Sequence, residues 1–417
     1  METMQARCCV AGGGPAGMML AFLLARAGID VVVLEKHADF LRDFRGDTVH
    51  PSTLDVIAEL GLLDAFLARP HQELRTVGGI VDGTPVTIGD LTHLPTRCKF
   101  IAIMPQWDFL NFLADNGRGY PGFHVRMCAE VTDLIDEGGT VRGVRATTPD
   151  GPLEVRADLV VGADGRHSTV RARAGLSVQD FGAPIDVLWM RLARRADDPE
   201  NAFGYFQNGH VFVTIPRGDY WQCAFVIRKG GFDALRAQGL DALQAGIAAA
   251  APFFADRVSA LQSWSDVSLL TVTIDRLRQW YRPGLLCIGD AAHAMSPMGG
   301  VGINLAIQDA VAAANILAEK LRAGTVTEND LRAVERRRTF PVRVTQGAQM
   351  FMQARVFGSV VGPPATPAPV PAKPRPLPFP LWLFTRFPVL QRLPAMFVGM
   401  GVRPEHVRTP HAAPAQA

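Results

Sequence analysis

The sequence has little net charge, little cysteine and no long uninterrupted hydrophobic run. Its 42 Lys plus Arg residues balance 40 Asp plus Glu, which leaves a formal charge of +2 and no strong field for nucleic acid or an anionic membrane. The 6 cysteines form no CxxC motif and no Cys/His cluster at metal-ligand spacing, and no signal peptide precedes the first motif. We therefore expect a cytoplasmic protein with reduced thiols that binds a small molecule and no metal or nucleic acid.

Length and apolar content set the scale of the fold. A chain of 417 residues with 48% hydrophobic composition can bury a large core, and its length predicts two or three domains. Residues 362–380 are rich in proline and predict a surface linker. Residues 381–402 are apolar, but Arg386, Pro388, Arg392 and Pro394 interrupt them before the roughly 18 residues that a membrane span needs. The sequence thus predicts no transmembrane helix.

A glycine-rich turn near the N-terminus carries the first chemical signal. A short apolar run ends at Val10, the stretch AGGGPAG follows, and an apolar helix and a second strand come next, which predicts a βαβ unit. Gly12, Gly14 and Gly17 fit GxGxxG, whose glycines allow a tight turn, close approach of a pyrophosphate, and close packing of helix on strand. Glu35 ends the second strand, where its carboxylate can accept hydrogen bonds from ribose hydroxyls. This pattern predicts an FAD or NAD site and disfavours NADP.

Two later segments also follow buried strands. The first, DGRHSTVR, begins at Asp164, and the second, GDAAHAMSPMGGVGIN, contains Asp290 and runs to Asn304. A carboxylate after a buried strand can hold a ribityl hydroxyl, and glycines near a helix start let backbone N–H groups approach a flavin edge or a phosphate. The second segment therefore favours FAD over NAD.

With these three motifs the chain resembles the class A flavoprotein monooxygenases typified by para-hydroxybenzoate hydroxylase. Two further matches are Arg45, which looks like the family's arginine after the ribose-binding acid, and Gln106, which looks like the polar residue that opens a helix against FAD. The cofactor-binding residues that the motifs and the resemblance together imply are Gly12, Gly14, Pro15, Ala16, Gly17, Glu35, Lys36, Arg45, Gln106, Asp164, Asp290, Pro297, Gly300, Val301, Gly302 and Asn304.

The resemblance also implies the fold class, α/β. We expect a Rossmann-type FAD-binding domain, a substrate domain built on a mixed or antiparallel sheet, and a helical C-terminal region. The predicted FAD-binding domain comprises residues 1–73, 105–176 and 282–325, and the substrate domain comprises residues 74–104 and 177–281. Residues 326–417 should hold helices, the proline-rich linker and the apolar tail segment.

The chemistry that the resemblance implies is oxygen insertion. In the family, NADPH or NADH binds transiently and reduces FAD, O2 forms a flavin C4a-hydroperoxide, and that species hydroxylates an aromatic ring. No second dinucleotide motif occurs in the sequence, which agrees with transient nicotinamide binding. We expect a phenolic, quinolone or polyketide-derived substrate of secondary metabolism, and a monomer or homodimer. The catalytic centre is the flavin, and His293 in the third motif is interpreted as structural.

The substrate pocket is expected on alternating strands of the second sheet. Residues that are two apart on a strand share a face, so a pocket draws on alternate side chains. The candidates are Tyr205, Gln207, His210, Phe212, Trp221, Gln222, Cys223 and Phe225. The sequence does not identify a substrate-activating base among them.

Other functions of this cofactor fold stay open. A flavin-dependent halogenase is disfavoured, because its WxWxIP signature is absent. An FAD-dependent reductase of isoprenoid chains is one alternative, and a non-catalytic FAD-binding partner protein is another. Epoxidation and Baeyer–Villiger insertion cannot be separated from hydroxylation by these residues.

Overall fold

The computed structural model describes residues 2–41, 48–199, 203–360 and 377–412. Within these residues, the strands in chain order are β1 (Glu2–Ala11), β2 (Val31–Leu34), β3 (Thr48–Val49), β4 (Gln72–Leu74), β5 (Thr76–Val81), β6 (Thr84–Asp90), β7 (Ile101–Ile103), β8 (Phe123–Arg126), β9 (Glu130–Glu137), β10 (Thr140–Thr148), β11 (Gly151–Gly162), β12 (Val178–Asp180), β13 (Ile185–Ala193), β14 (Phe203–Gln207), β15 (His210–Arg217), β16 (Tyr220–Arg228), β17 (Val267–Leu270), β18 (Asp275–Leu277), β19 (Tyr281–Arg282) and β20 (Leu285–Cys287).

The α-helices of the same residues alternate with these strands and then dominate the C-terminal quarter. They are α1 (Pro15–Arg26), α2 (Pro51–Glu59), α3 (Leu63–Leu67), α4 (Gln106–Gly117), α5 (Thr169–Arg173), α6 (Phe232–Ala237), α7 (Leu240–Ala250), α8 (Gly302–Ala323), α9 (Glu328–Val360), α10 (Phe379–Arg386) and α11 (Arg392–Gly399).

A largely parallel sheet forms the first half of the fold. β1 pairs in parallel with β2 on one side and with β11 on the other, and the parallel run continues to β8 and β20. The last four residues of β1 are fully buried, as expected for a strand that is covered on both faces. Burial raises the pKa of the Cys9 thiol to about 12, so this thiol stays protonated at neutral pH and serves as core packing.

The second sheet has the order β17-β13-β16-β15-β14-β5-β6 and is mixed, because β14 pairs with β5 in parallel while the other pairs are antiparallel. One face packs against α7, whose Leu243, Ile247 and Ala250 recur at helical spacing. The opposite face carries a separate apolar cluster that includes Met298, from the glycine-rich loop before α8. The α/β fold with a mixed second sheet is thus the predicted one, while the domain boundaries stay a prediction.

The C-terminal helices pack against elements of both sheets' surroundings, with α8 on α1 and α11 on β6. α8 is buried along most of its length and contacts α1, and α9 continues past Pro341. Among the described residues, Met298–Ala323 is long and apolar enough to cross a membrane, with a mean hydropathy of 1.4, but 83% of its 18-residue apolar window is buried inside the protein. In the tail, α11 buries Ala395 against Leu91 and Leu94. Most of the proline-rich linker lies outside the described residues.

Candidate cofactor and substrate site

The three glycine-rich motifs meet at one edge of the parallel sheet. β1, β2, β11 and β20 run in the same direction, so the turns that follow them lie side by side. A Cβ added to Gly12 would overlap the carbonyl oxygen of Ala163, which shows how closely the first two turns approach. Because β2 lies on one side of β1 and β11 on the other, a crevice forms beyond the carboxyl ends of these strands. In α/β sheets, ligands bind in a crevice of this kind.

The glycines of the first turn have different structural roles. Gly12 has a φ of +104°, which side chains rarely adopt, and a Cβ on Gly17 would overlap the carbonyl oxygen of Gly12. Gly14 has an ordinary φ of −75° as the N-cap of α1, yet a Cβ there would meet no protein atom within 4 Å. This open cradle faces the first turn of a helix, whose free N–H groups and positive dipole end suit a pyrophosphate. The residues therefore fit a dinucleotide.

Glu35 braces the same turn from the end of β2. Its Oε2 accepts a hydrogen bond of 2.9 Å from the backbone N–H of Gly13, and its Oε1 accepts one of 3.0 Å from the N–H of His37. A carboxylate at the end of the second strand of a βαβ unit is the type of group that can accept a hydrogen bond from a ribose hydroxyl. Lys36, which follows, is exposed.

The Asp164 carboxylate is engaged within its own turn. It accepts a hydrogen bond of 2.5 Å from the Ser168 hydroxyl and one of 3.1 Å from the backbone N–H of Val170, while Ser168 caps α5. Burial raises the pKa of Asp164, and these hydrogen bonds counter only part of that rise. The side chain thus shapes the second motif, and its predicted contact with FAD stays a prediction.

Asp290 offers an available carboxylate at the third motif. Its side chain is 37% exposed, and Arg166 Nη2 lies 3.7 Å from Oδ2. The preceding Gly289 packs tightly, since a Cβ there would lie 3.1 Å from Ala16 and 3.3 Å from Ala306. A part-exposed carboxylate on a rigid turn is the arrangement needed to accept a hydrogen bond from a ribityl hydroxyl.

The loop before α8 is fixed by Asn304. Its Oδ1 accepts from the backbone N–H of His50 at 2.9 Å and from the Thr53 hydroxyl at 2.7 Å, and its Nδ2 donates to the carbonyls of Thr48 and Gly300. The amide therefore has no capacity left for a ligand. The free groups here are the backbone N–H groups at the start of α8, next to Val301 and Gly302, which can face a flavin edge.

The remaining predicted cofactor residues fall into three groups. Pro15 and Ala16 begin α1, directly after the open cradle. Gln106 is the first residue of α4 and is half-buried, whereas Pro297 is exposed in the loop before α8. Arg45 lies outside the described residues.

The predicted pocket residues lie mostly on one face of the second sheet, and their role as pocket lining stays a prediction. The side chains on the α7 face of the second sheet, away from the nucleotide edge, are Tyr205, Gln207, His210, Phe212, Trp221, Cys223 and Phe225. Phe254 stacks edge-on against three of the rings, and Gln207 Nε2 donates to the carbonyl of Ala249 beside α7. Burial lowers the pKa of His210. These residues build a core, because the register turns the opposite set of side chains towards Met298.

The face towards Met298 carries a different set, in which Gln222 is the one predicted residue. It joins small and branched apolar side chains, namely Val187, Val211, Ala224 and Val226, with Trp189, Phe206, Val213 and Leu270 partly buried around them. Gln222 is 4% exposed, and its Oε1 accepts a hydrogen bond of 3.3 Å from Arg217 Nε. An apolar surface beside the glycine-rich loop suits a flat hydrophobic ligand.

Glutamines on α9, which the sequence analysis did not single out, hold the glycine-rich loop from behind. Gln346 Nε2 donates to the carbonyl of Ala294 at 2.8 Å, Gln349 Nε2 donates to the carbonyls of Ser296 and Met298, and Gln353 Nε2 donates to the Ser296 hydroxyl. Their spacing of three and four residues puts them on one face of the helix. Because α9 is polar along most of its length, these glutamines do not stand out in the sequence.

Comparisons with known proteins agree with this geometry. The family described as "FAD binding domain" matches residues 5–348. The chain is 38% identical over 361 residues to the 6-methylpretetramide 4-monooxygenase of Streptomyces rimosus, an alignment that covers 84% of this chain and 86% of that protein. It is 30% identical to a rifampicin monooxygenase of Streptomyces venezuelae over 72% of this chain and 61% of that longer protein.

A solved structure extends the similarity to nearly the whole chain. The anhydrotetracycline hydroxylase OxyS from Streptomyces rimosus superposes with a TM-score of 0.73 at 25% identity, covering 98% of this chain and 78% of that protein.

Among the described residues, no group of three or more His, Cys, Asp or Glu side chains is arranged to hold a metal ion.

Proposed function

The chain belongs to the FAD-binding domain family and is an FAD-dependent monooxygenase of aromatic compounds, and on that basis we propose that it hydroxylates a polycyclic, polyketide-derived phenol. Electrons come from NADPH or NADH, and O2 is the second substrate. One observation carries the choice of substrate: the sheet face that meets Met298 is hydrocarbon over a broad area. The 38% identity to an enzyme named for 6-methylpretetramide supports the same ring class.

The proposed cofactor contacts come from groups that line the crevice. The cradle at Gly14 and the start of α1 would hold the pyrophosphate, Glu35 the adenosine ribose and Asp290 the ribityl chain. The N–H groups at the start of α8 would face the flavin ring. When bound there, FAD supplies the redox and oxygen-transfer chemistry.

The protein's own contribution to the reaction is shape and exclusion of water. The side chains of Val211, Val213 and Ala224 form an apolar surface next to Met298. An aromatic ring would pack on this surface and lie against the loop that contains Met298. Gln222 lies on this face, and an amide is the type of side chain that can hydrogen-bond a phenol or carbonyl oxygen. This lining favours a neutral flat ring over a small benzoate that needs a charged clamp.

The test is product formation with labelled oxygen. Purified yellow protein is supplied with NADPH or NADH, ¹⁸O2 and three substrate sets: polycyclic phenols of the pretetramide type, quinolones and simple hydroxybenzoates. We expect one atom of ¹⁸O to be inserted into a C–H bond of a polycyclic phenol. Mass spectrometry should then detect a product about 18 mass units heavier than that phenol. Turnover of benzoates alone would contradict the proposed substrate class.

Two alternatives have their own outcomes in this assay. A reductase of isoprenoid chains would consume NAD(P)H without incorporating ¹⁸O, and a non-catalytic FAD-binding partner would consume none.

The cytoplasmic location and the monomeric or homodimeric state stay predictions. The first is supported by six free cysteines, five of them buried.

A further inference from the structure

A chain of buried charges crosses the protein between the third motif and the C-terminus. Asp309 of α8 accepts a hydrogen bond of 2.8 Å from Arg338 Nε of α9, and Arg338 Nη1 lies 3.5 Å from Glu405 Oε1. The side chains of all three are at most 1% exposed. Glu405 belongs to residues 403–412, which we call the C-terminal strap.

The inner end of this chain of charges holds the turn that carries Asp290. Asp309 Oδ2 accepts a hydrogen bond of 3.1 Å from the backbone N–H of Gly289 and one of 2.5 Å from His293 Nε2. Burial by itself would raise the pKa of Asp309, but the charges and hydrogen bonds of His293 and Arg338 outweigh it and hold that pKa below its usual value. The ionised Asp309 is therefore the group that orients Gly289 and His293 together.

His293 is held between Asp309 and an aromatic ring. Its Nε2 faces the Asp309 carboxylate and donates to it. Its Nδ1 is buried and has no hydrogen-bond partner among the described residues, and its ring lies 5.0 Å from that of Trp280.

The outer end of the chain of charges fixes the strap. Arg337 Nε donates to Glu405 Oε1 at 2.5 Å, and the backbone N–H of Glu405 donates to Gln308 Oε1. Farther along, the strap is held by a more exposed contact, in which Glu59 accepts hydrogen bonds from His406 and from the backbone N–H of Val407 at 2.7 Å. The strap is thus held by two contacts. The contact at Glu405 is buried and connects through Arg338 and Asp309 to the turn at Gly289, whereas the contact at Glu59 is exposed and has no such connection.

We propose that Glu405 is a positioning residue for FAD, through which the C-terminal strap sets the turn at Gly289 and Asp290. Without its charge, Arg338 retains Asp309 as its only buried acid and shifts towards it, and the hydrogen bonds of Asp309 to Gly289 and His293 weaken. Breaking one partner of a buried ion pair is costly because the other charge is left without compensation. A strap that merely covered the surface would stabilise the fold without changing this turn.

The experiment compares Glu405→Gln with Glu59→Gln in the full-length holoprotein. Both variants remove one acid that binds the strap, but only the first acts on the buried chain of charges. FAD release is followed by flavin fluorescence after dilution, and hydrogen exchange is measured for the peptide that contains Gly289. We expect E405Q to release FAD about tenfold faster, within the range of coupling that packed polar networks carry. Exchange near Gly289 should rise with it.

The control and the double variant decide the interpretation. E59Q should change FAD release by less than about twofold, since exposed ion pairs contribute little. Asp309→Asn combined with E405Q should release FAD no faster than Asp309→Asn alone, because both act through one chain of contacts. If E405Q does not fold, Glu405→Asp takes its place. Equal effects of the two strap variants, or multiplied effects in the double variant, would overturn the proposal.

Discussion

The substitution Gly14→Ala tests whether Gly14 is needed for FAD binding and not for the stability of the folded protein. The substitution adds one methyl group at a position where no protein atom lies within 4 Å of the new Cβ. The backbone there, with φ −75° and ψ −177°, is open to any residue. The folded protein should therefore accept the methyl group, whereas a pyrophosphate that approaches the backbone at this point should not.

The expected magnitudes differ between the free protein and the cofactor complex. Alanine is a poorer N-cap than glycine by several tenths of a kcal/mol, but it lowers the entropy of the unfolded chain by about 0.4–1 kcal/mol, so the stability of the apoprotein should change by less than about 1 kcal/mol. Loss of one hydrogen bond to a charged phosphate is worth about 1.5–3 kcal/mol. FAD affinity should then fall by about 10- to 150-fold.

Two assays and one control complete this test. Urea unfolding of the apoprotein measures stability, and quenching of flavin fluorescence on titration measures the dissociation constant. Gly17→Ala is the matched control, because its Cβ would overlap the carbonyl oxygen of Gly12 and should destabilise the apoprotein itself. Wild-type FAD affinity in Gly14→Ala, or collapse of its apoprotein, would refute the assignment of the cradle.

Three further predictions follow from the same site. Asp290→Ala should weaken FAD binding by about 1–3 kcal/mol in the same titration, and unchanged affinity would count against the ribityl contact. Burial lowers the pKa of His50 to about 4 from an unfolded value of 6.5, so the folded state favours the neutral ring, and stability is full above that unfolded value and is lost as pH falls towards 4. At pH 5 this loss is about 2 kcal/mol, which His50→Asn should remove from the urea-unfolding profile; an unaltered profile would rule it out. Val213→Trp should raise KM for the ring substrate about tenfold by crowding the face towards Met298 at a cost of about 1–3 kcal/mol, while Leu269→Trp on the other face should not; equal effects would contradict the proposed lining.

Local patterns predicted the nucleotide half of the fold. The spacing of Gly12, Gly14 and Gly17 with Glu35 at the end of the next strand depends on a single βαβ unit, so neighbouring residues contain the information. The family, FAD as cofactor and the α/β fold are confirmed. The individual cofactor contacts remain predictions, and Asp164 shows why: a carboxylate after a strand also suits the capping of its own helix.

The pocket lining is harder to predict, for a different reason. Alternation along a strand tells which side chains share a face, but it does not tell which face meets the cofactor. Tyr205 and Phe212 were named as candidates from the alternation of their strands, and both rings pack around Phe254 beside α7. Both faces of this sheet are apolar, so the sequence carried no contrast between them.

Long-range polar contacts were also beyond the sequence. Asp309, Arg338 and Glu405 are separated by 29 and 67 residues, and nothing local marks them as partners. A buried charge reads in sequence as an ordinary surface residue of a helix or tail. Only the packing of α8, α9 and the C-terminal strap reveals that these charges compensate one another.

The most direct test of the central claim is anaerobic stopped-flow reduction of the FAD-bound protein by NADPH and by NADH, with and without a polycyclic phenol. A monooxygenase of aromatic rings predicts that one nucleotide bleaches the flavin absorbance and that the phenol accelerates this step. Failure of both nucleotides to reduce the flavin, with the phenol present, would contradict it.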